Sequence, residues 1–165
     1  MDPIADAPWV LDWVWSLPLI VLCVIIHVVG LMLIFTGMVD AMSRAIIRHR
    51  FVPMFVVSMG IVILLATILH GLEGSIWAVS YRVLGALPDG RSAMLYSLSA
   101  MTTYGHEHLH LESEWQLMGA LEALNGTLLF GLTTAFLFAM VREVWEMAKK
   151  SEAEDRPSHN RRLQP

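Results

Sequence analysis

The 165-residue chain is 56% hydrophobic and only 16% charged, with a formal charge of −4 and a mean hydropathy of +0.58. A soluble domain of this length carries about a quarter charged residues, so the polar surface needed to coat a water-soluble globule is missing. An acidic balance with no basic block argues against a nucleic-acid partner. The single cysteine, Cys23, rules out an intrachain disulfide and any Cys-based zinc or iron–sulfur site.

Residues 1–16 lack the basic start of a secretory signal. Trp9, Trp13 and Trp15, interleaved with Val10, Val14 and Leu17, read as a short amphipathic segment lying at the outer membrane interface. A first span follows over about Leu17 to Val39, with His27 as its only readily protonated side chain. His27 is read as a helix-packing residue rather than a proton relay. Residues 17–50 therefore comprise this span and a basic loop holding Arg44, Arg48, His49 and Arg50. Residues 51–148 form a second unit of sequence. A span starts near Phe51, is uncharged to Leu69, and continues through His70, Glu73 and Trp77 towards Tyr81. Ser92 to Thr103 is apolar but only about a dozen residues long, too short to cross and suited to a re-entrant helix. The last span, about Leu117 to Val141, carries Glu122 within it and has Trp115 and Trp145 at its ends. Residues 149–165 are polar, contain Pro157 and Pro165, and are expected to be disordered.

Basic residues set the orientation. The loop at Arg44–Arg50 and the stretch with Arg142, Lys149, Lys150, Arg156, Arg161 and Arg162 both read as cytoplasmic. Two spans plus a re-entrant segment between them satisfy that parity, with the amino terminus outside and the carboxyl terminus inside. The expectation is an all-α multi-pass protein of the plasma (inner) membrane, with three transmembrane helices, a re-entrant pore helix and a filter loop. Arg44 to Arg50 also suits contact with anionic membrane lipid.

The chemistry-bearing stretch is Tyr96 to Phe138. A short helix ends at Thr102-Thr103 and is followed by Tyr104-Gly105-His106-Glu107-His108, a polar return and a full span. Non-helical backbone at membrane depth is tolerated only where it is buried in protein or lines water. The carboxyl end of a short helix directs a negative dipole end at that segment and favours a cation. Rings of backbone carbonyls replace an ion's hydration shell in this geometry. One loop cannot surround an ion and four can, so the partner expected is the chain itself, as a homotetramer.

At these residues the chain resembles the potassium-channel pore domain, whose signature is Thr-Thr-x-Gly-Tyr-Gly-Asp. Thr102, Thr103, Tyr104 and Gly105 match the first half, and His106, Glu107 and His108 stand where Tyr, Gly and Asp would be. Gly126 and Gly131 have the two-glycine spacing such channels use around the gating hinge, although Gly126 also suits close helix packing. Glu114-Trp115 and Gly119-Ala120-Leu121-Glu122 look like the small prokaryotic ion-channel-domain proteins in particular. The resemblance covers about Leu64 to Val144 and leaves the first span as an addition to the minimal pore subunit. It implies passive conduction of monovalent cations, K⁺ or Na⁺, with no resident cofactor and no enzyme activity. By the same resemblance Thr102 to Glu107 form the selectivity filter, and the Thr103 hydroxyl and the Thr103 and Tyr104 carbonyls supply inner sites. Glu122 supports the filter loop from behind, and Glu73 is either an interfacial partner of His70 or a brace for the pore helix as further filter support.

The second filter glycine is replaced by Glu107, which disfavours four full potassium-type layers and points to a wider vestibule with an acidic ring. Non-selective conduction is the corresponding expectation. His106, His108 and His110 are candidate ligands for Zn²⁺ or proton modulation. A rival motif overlaps: His106-Glu107-x-x-His110 is also the zinc-peptidase pattern, with Glu107 as general base and Glu112, Glu114 or Glu122 as third ligand. Gly105 at the end of a short helix argues against it, because those motifs sit within a long helix. Metal binding without conduction is the remaining alternative.

Overall fold

The computed structural model describes the backbone of residues 7–47, 51–105 and 109–161, and the side chains of 9–44, 53–105 and 109–150. It has four helices: α1 (Ala7–Ile47), α2 (Phe51–Val83), the short α3 (Gly90–Met101) and α4 (Gln116–Arg161), the last preceded by a 3-10 turn at Ser113–Trp115. There is no strand among the described residues. Three stretches are long and apolar enough to cross a membrane: 36 residues in α1, 31 in α2, and 38 in the 3-10 turn together with α4, against the roughly 20 that a bilayer requires. Large side chains such as Leu33, Leu64, Ile68, Val79 and Phe138 face outward. In lipid such outward apolar residues carry no penalty, so interhelical packing rather than water exclusion holds the helices together. The chain is a multi-pass membrane protein by this measure.

Two boundaries differ from those expected. α1 begins at Ala7 and passes through Pro18 without a break, so residues 7–16 continue into the first span instead of forming a separate interfacial segment. Membrane helices tolerate proline because neighbouring helices and polar side chains take up the freed backbone groups. Trp9, Trp13 and Trp15 are exposed as an interfacial face requires, but Asp12 and Ser16, one turn apart, are buried. At the other end α4 keeps helical backbone to Arg161, past the point where a disordered tail was expected. Glu152, Ala153 and Glu154 are good helix formers, and they extend a helix already nucleated in the membrane.

The fold divides into two units. Unit 1 comprises residues 1–30 and 67–132, and unit 2 comprises residues 31–66 and 133–165. Unit 2 is packed by Met38, Met42, Val62, Met140 and Val144, with Phe35 and Phe136 in edge contact at 6.3 Å. Unit 1 is packed by Trp77, Tyr81, Met101, Met118 and Leu129, among others, and contains all of α3. Its helices approach closely at Gly30, where an added Cβ would meet the Leu69 side chain at 2.7 Å.

Candidate functional site around the end of helix α3

The turn into α3 is built by two side chains. Asp89 accepts the backbone N–H groups of Arg91 and Ser92, both at 2.9 Å, and the Ser92 hydroxyl at 2.7 Å. That satisfies donors which the first helical turn leaves free. Arg82 donates to the carbonyls of Leu87 and Pro88 and closes the connection from α2. The Asp89 carboxyl is held below the usual carboxylate range, chiefly by the Ser92 hydroxyl and then by the Ser92 N–H.

α2 and α3 end in the same way. At α2 the Ala86 N–H reaches the Tyr81 carbonyl at 2.9 Å and Gly85 reaches Arg82 at 3.3 Å, with Gly85 at φ +72°. At α3 the Tyr104 N–H reaches Ser99 at 3.0 Å and Thr103 reaches Ala100 at 3.0 Å. These are the paired bonds of the Schellman closure, whose left-handed position glycine normally fills. In α3 that position is Thr103, at φ +56°. A β-branched residue there carries strain of about 1–2 kcal/mol. The Thr102 hydroxyl turns back onto the Leu98 carbonyl at 2.7 Å. Tyr104 is 81% exposed. Gly105, at φ +72°, also directs its N–H at Ser99.

The contacts of α3 follow a consistent path. Tyr96 meets Tyr81 edge-on at 5.4 Å, and its hydroxyl fills the space where Gly119 would otherwise carry a Cβ. One residue on, the Ser97 hydroxyl lies between the Gly74 carbonyl, at 2.7 Å, and the Glu122 carboxyl. Tyr81 donates to the other oxygen of Glu122 at 2.6 Å. At the end of the helix, the backbone of Met101 rests against Gly126 so tightly that no side chain fits there. As α3 advances from Tyr96 to Met101, its partners thus move from Tyr81 to Gly74 on α2 and from Gly119 to Gly126 on α4. Both displacements cover seven residues, about 10–11 Å at 1.5 Å per residue, and end about 14–15 Å from the helix ends Val83 and Gln116. The residues after α3 then return to the start of α4, where Leu111 packs near Gly119.

A groove of about 340 Å³ brings together Thr103, Gly105 and His110 with Gly119, Ala120 and Ala123 of α4. Thr102 and Tyr104 do not line it. His106, Glu107 and His108, central to both the filter and the peptidase readings, lie outside the described residues. Leu109 and His110 have no regular secondary structure, and Glu112 and Glu114 are exposed. Gly131 has nothing within 4 Å of an added Cβ.

Of the two carboxyls expected behind the filter, Glu122 touches α3 through Ser97. Glu73 meets His27 of α1 at 2.8 Å and His70 at 3.3 Å. His27 therefore does more than pack. Two further residues escaped the sequence reading. Asp12 of α1 accepts the backbone N–H of Met118 and so caps the first turn of α4. Asn125 is fully buried with neither side-chain polar atom in a well-formed hydrogen bond, beside the Cys23 thiol. A polar residue inside an apolar span was the available signal for His27 and Asn125, whereas Asp12 precedes the apolar run and offered none.

No family model, no curated protein and no solved structure matches the chain.

Proposed function

We propose that the chain is one subunit of a homotetrameric cation channel of the potassium-channel pore type. In this reading α2 is the outer helix, α3 the re-entrant pore helix, Thr102 to Glu107 the filter and α4 the inner helix. The observation that carries it is the path of α3 between α2 and α4, with non-helical backbone at 104–105 and again at 109–112 before the start of α4. A short helix held by Ser97 and Met101 against two long ones directs its carboxyl end at a fixed place, where its dipole favours a cation.

Four such ends around an axis surround an ion with carbonyl groups that replace its water. Thr103 and Gly105 supply the left-handed backbone that redirects successive carbonyls. Glu107 concentrates monovalent cations at the mouth, and the absence of a second filter glycine makes discrimination between K⁺ and Na⁺ weak. Glu122 positions the pore helix through Ser97. Movement of α4 about Gly126 and Gly131 gates, and His106, His108 and His110 make the mouth responsive to protons or Zn²⁺. The amino terminus lies outside and the carboxyl terminus in the cytoplasm.

Purified protein reconstituted in liposomes is expected to pass K⁺ and Na⁺, and Gly105→Val to stop the flux, because a β-branched residue is strained at φ +72°. Replacing His106, Glu107 and His108 by Tyr, Gly and Asp is expected to raise K⁺ preference in reversal-potential measurements. Liposomes that remain tight to both ions overturn the reading, and an unchanged permeability ratio overturns the filter register.

A further inference from the structure

The channel reading leaves unused a cluster of side chains that chemistry would not place in an apolar span without a purpose. His70 and Glu73 are three residues apart on one face of α2. His27 arrives from α1, 46 positions earlier than Glu73. All three belong to unit 1. His27 and Glu73 are fully buried and the His70 side chain is 12% exposed.

We propose that His27, His70 and Glu73 form a binding site for one divalent transition-metal ion of the zinc class, which ties α1 to α2. The inference is independent of whether the chain conducts ions.

Three observations support it. The first is convergence. His27 Nδ1 lies 2.8 Å from Glu73 Oε1 and His70 Nδ1 lies 3.3 Å from Glu73 Oε2, and one donor atom from each residue falls within 4.8 Å of the others. A tetrahedral ion bonded at about 2.0–2.2 Å separates its ligands by about 3.3–3.6 Å, so modest side-chain rotations suffice to seat it.

The second is an incomplete polar shell. Glu73 Oε2 is wholly buried without a well-formed hydrogen bond, since its approach to His70 has the distance of an ion pair but not the required geometry. A buried acceptor in that condition calls for an unseen water or ion. A cation held by both imidazoles completes its coordination.

The third is ring support. The His70 imidazole stacks on Phe130 at 4.2 Å with an 18° tilt, and the two histidine rings stand 5.1 Å apart. These contacts hold the rings in place beside one carboxyl.

The donor set selects the ion. Two imidazoles with one carboxylate suit zinc, copper, nickel or iron, whereas calcium and magnesium prefer an all-oxygen shell. Cys23, one turn before His27, falls outside the 4.8 Å group, which leaves the fourth position to water. With the ion bound, the part of α1 that belongs to unit 1 is tied to α2 there.

The test uses the full chain in detergent, without a polyhistidine tag, with His49, His106, His108, His110 and His159 changed to Gln so that His27 and His70 are the only histidines left. After chelator treatment it is titrated with Co²⁺ and then Zn²⁺. One Zn²⁺ per chain by elemental analysis is expected, together with a visible Co²⁺ band that Zn²⁺ displaces. His27→Asn, His70→Asn and Glu73→Gln are each expected to weaken Zn²⁺ binding by at least about 10-fold. A ligand variant that misfolds loses metal trivially, so the decisive arm is the chain with the trio intact. Absence of bound Zn²⁺ and of the Co²⁺ band there overturns the site and leaves a hydrogen-bonded trio. Binding that persists at full affinity in folded trio variants also overturns it.

Discussion

Unit 2 packs Met38, Met42, Val62, Met140 and Val144 against one another, and its buried polar residues among those described are the hydroxyl-bearing Ser58 and Thr133. Unit 1 draws on the same three long helices, yet it buries Asp12, His27, Glu73, Glu122 and Asn125. Methionine is flexible and fills gaps adaptably. A buried carboxyl tolerates few arrangements, because each oxygen needs a donor or a cation. Unit 2 is thus specified by volume and unit 1 by partners. Function is expected where partners are demanded, and α3, the groove and the His–Glu trio all fall in unit 1.

Substitutions break this comparison at different strengths. Met140→Ala in unit 2 is expected to cost about 2–5 kcal/mol of stability through the cavity it leaves, read by thermal unfolding in detergent, with conduction by the proposed channel unchanged per folded molecule. A large fall in flux per folded molecule would put unit 2 into the functional machinery.

Gly126→Ala is expected to cost about 1–3 kcal/mol by overpacking the Met101 backbone. Gly131→Ala, with open space around it, is expected to gain about 0.5–1 kcal/mol, the ordinary effect of replacing a helical glycine. Equal unfolding temperatures for the two variants would remove the contact between α3 and α4 from the argument.

Thr103→Gly relieves the left-handed strain and is expected to stabilise by about 1 kcal/mol, while impairing conduction because the hydroxyl is lost. A variant that is both more stable and fully conductive would mean that the strain at Thr103 has no functional purpose.

The smallest effect concerns the cap. Asp89 has its carboxyl held below the ordinary value in the folded chain, so its stabilisation is present above the unfolded carboxylate pKa, near 4, and is lost as pH falls through the lower folded value. Asp89→Ala is therefore expected to speed amide exchange in the first turn of α3 at pH 6. The difference from the wild type should shrink on acidification below about pH 4. A difference that grows in acid would reverse the assignment.

Much of the architecture was legible. The apolar runs locate α2 and the start of α4 to within a few residues, although α4 continues well past Val141 to Arg161. The stretch Ser92–Thr103, too short to cross, is observed as α3 two residues earlier, where Asp89 caps it. The continuity of α1 was not legible, because the tryptophan-rich start reads as a separate interfacial segment and no local signal joins it to the span that follows. At the candidate site, Glu122 near the short helix was expected, whereas its bonds to Ser97 and Tyr81 were not. The partnerships of His27 with Glu73 and of Asp12 with Met118 join residues distant in the chain. No local periodicity encodes such pairs; only the rarity of these side chains in apolar helices hints that each has one.

The bond from Asp12 to the first turn of α4 has a consequence for biosynthesis. Asp12 leaves the ribosome roughly a hundred residues before Met118, an interval of about 5–20 s at ordinary elongation rates. Throughout that interval the carboxyl has no α4 amide to receive it, so the leading end of α1 has to wait in contact with water or with the insertion machinery. A nascent chain that ends before α4 lacks this partner for Asp12, and in pulse-labelling it is expected to be degraded faster than the full chain.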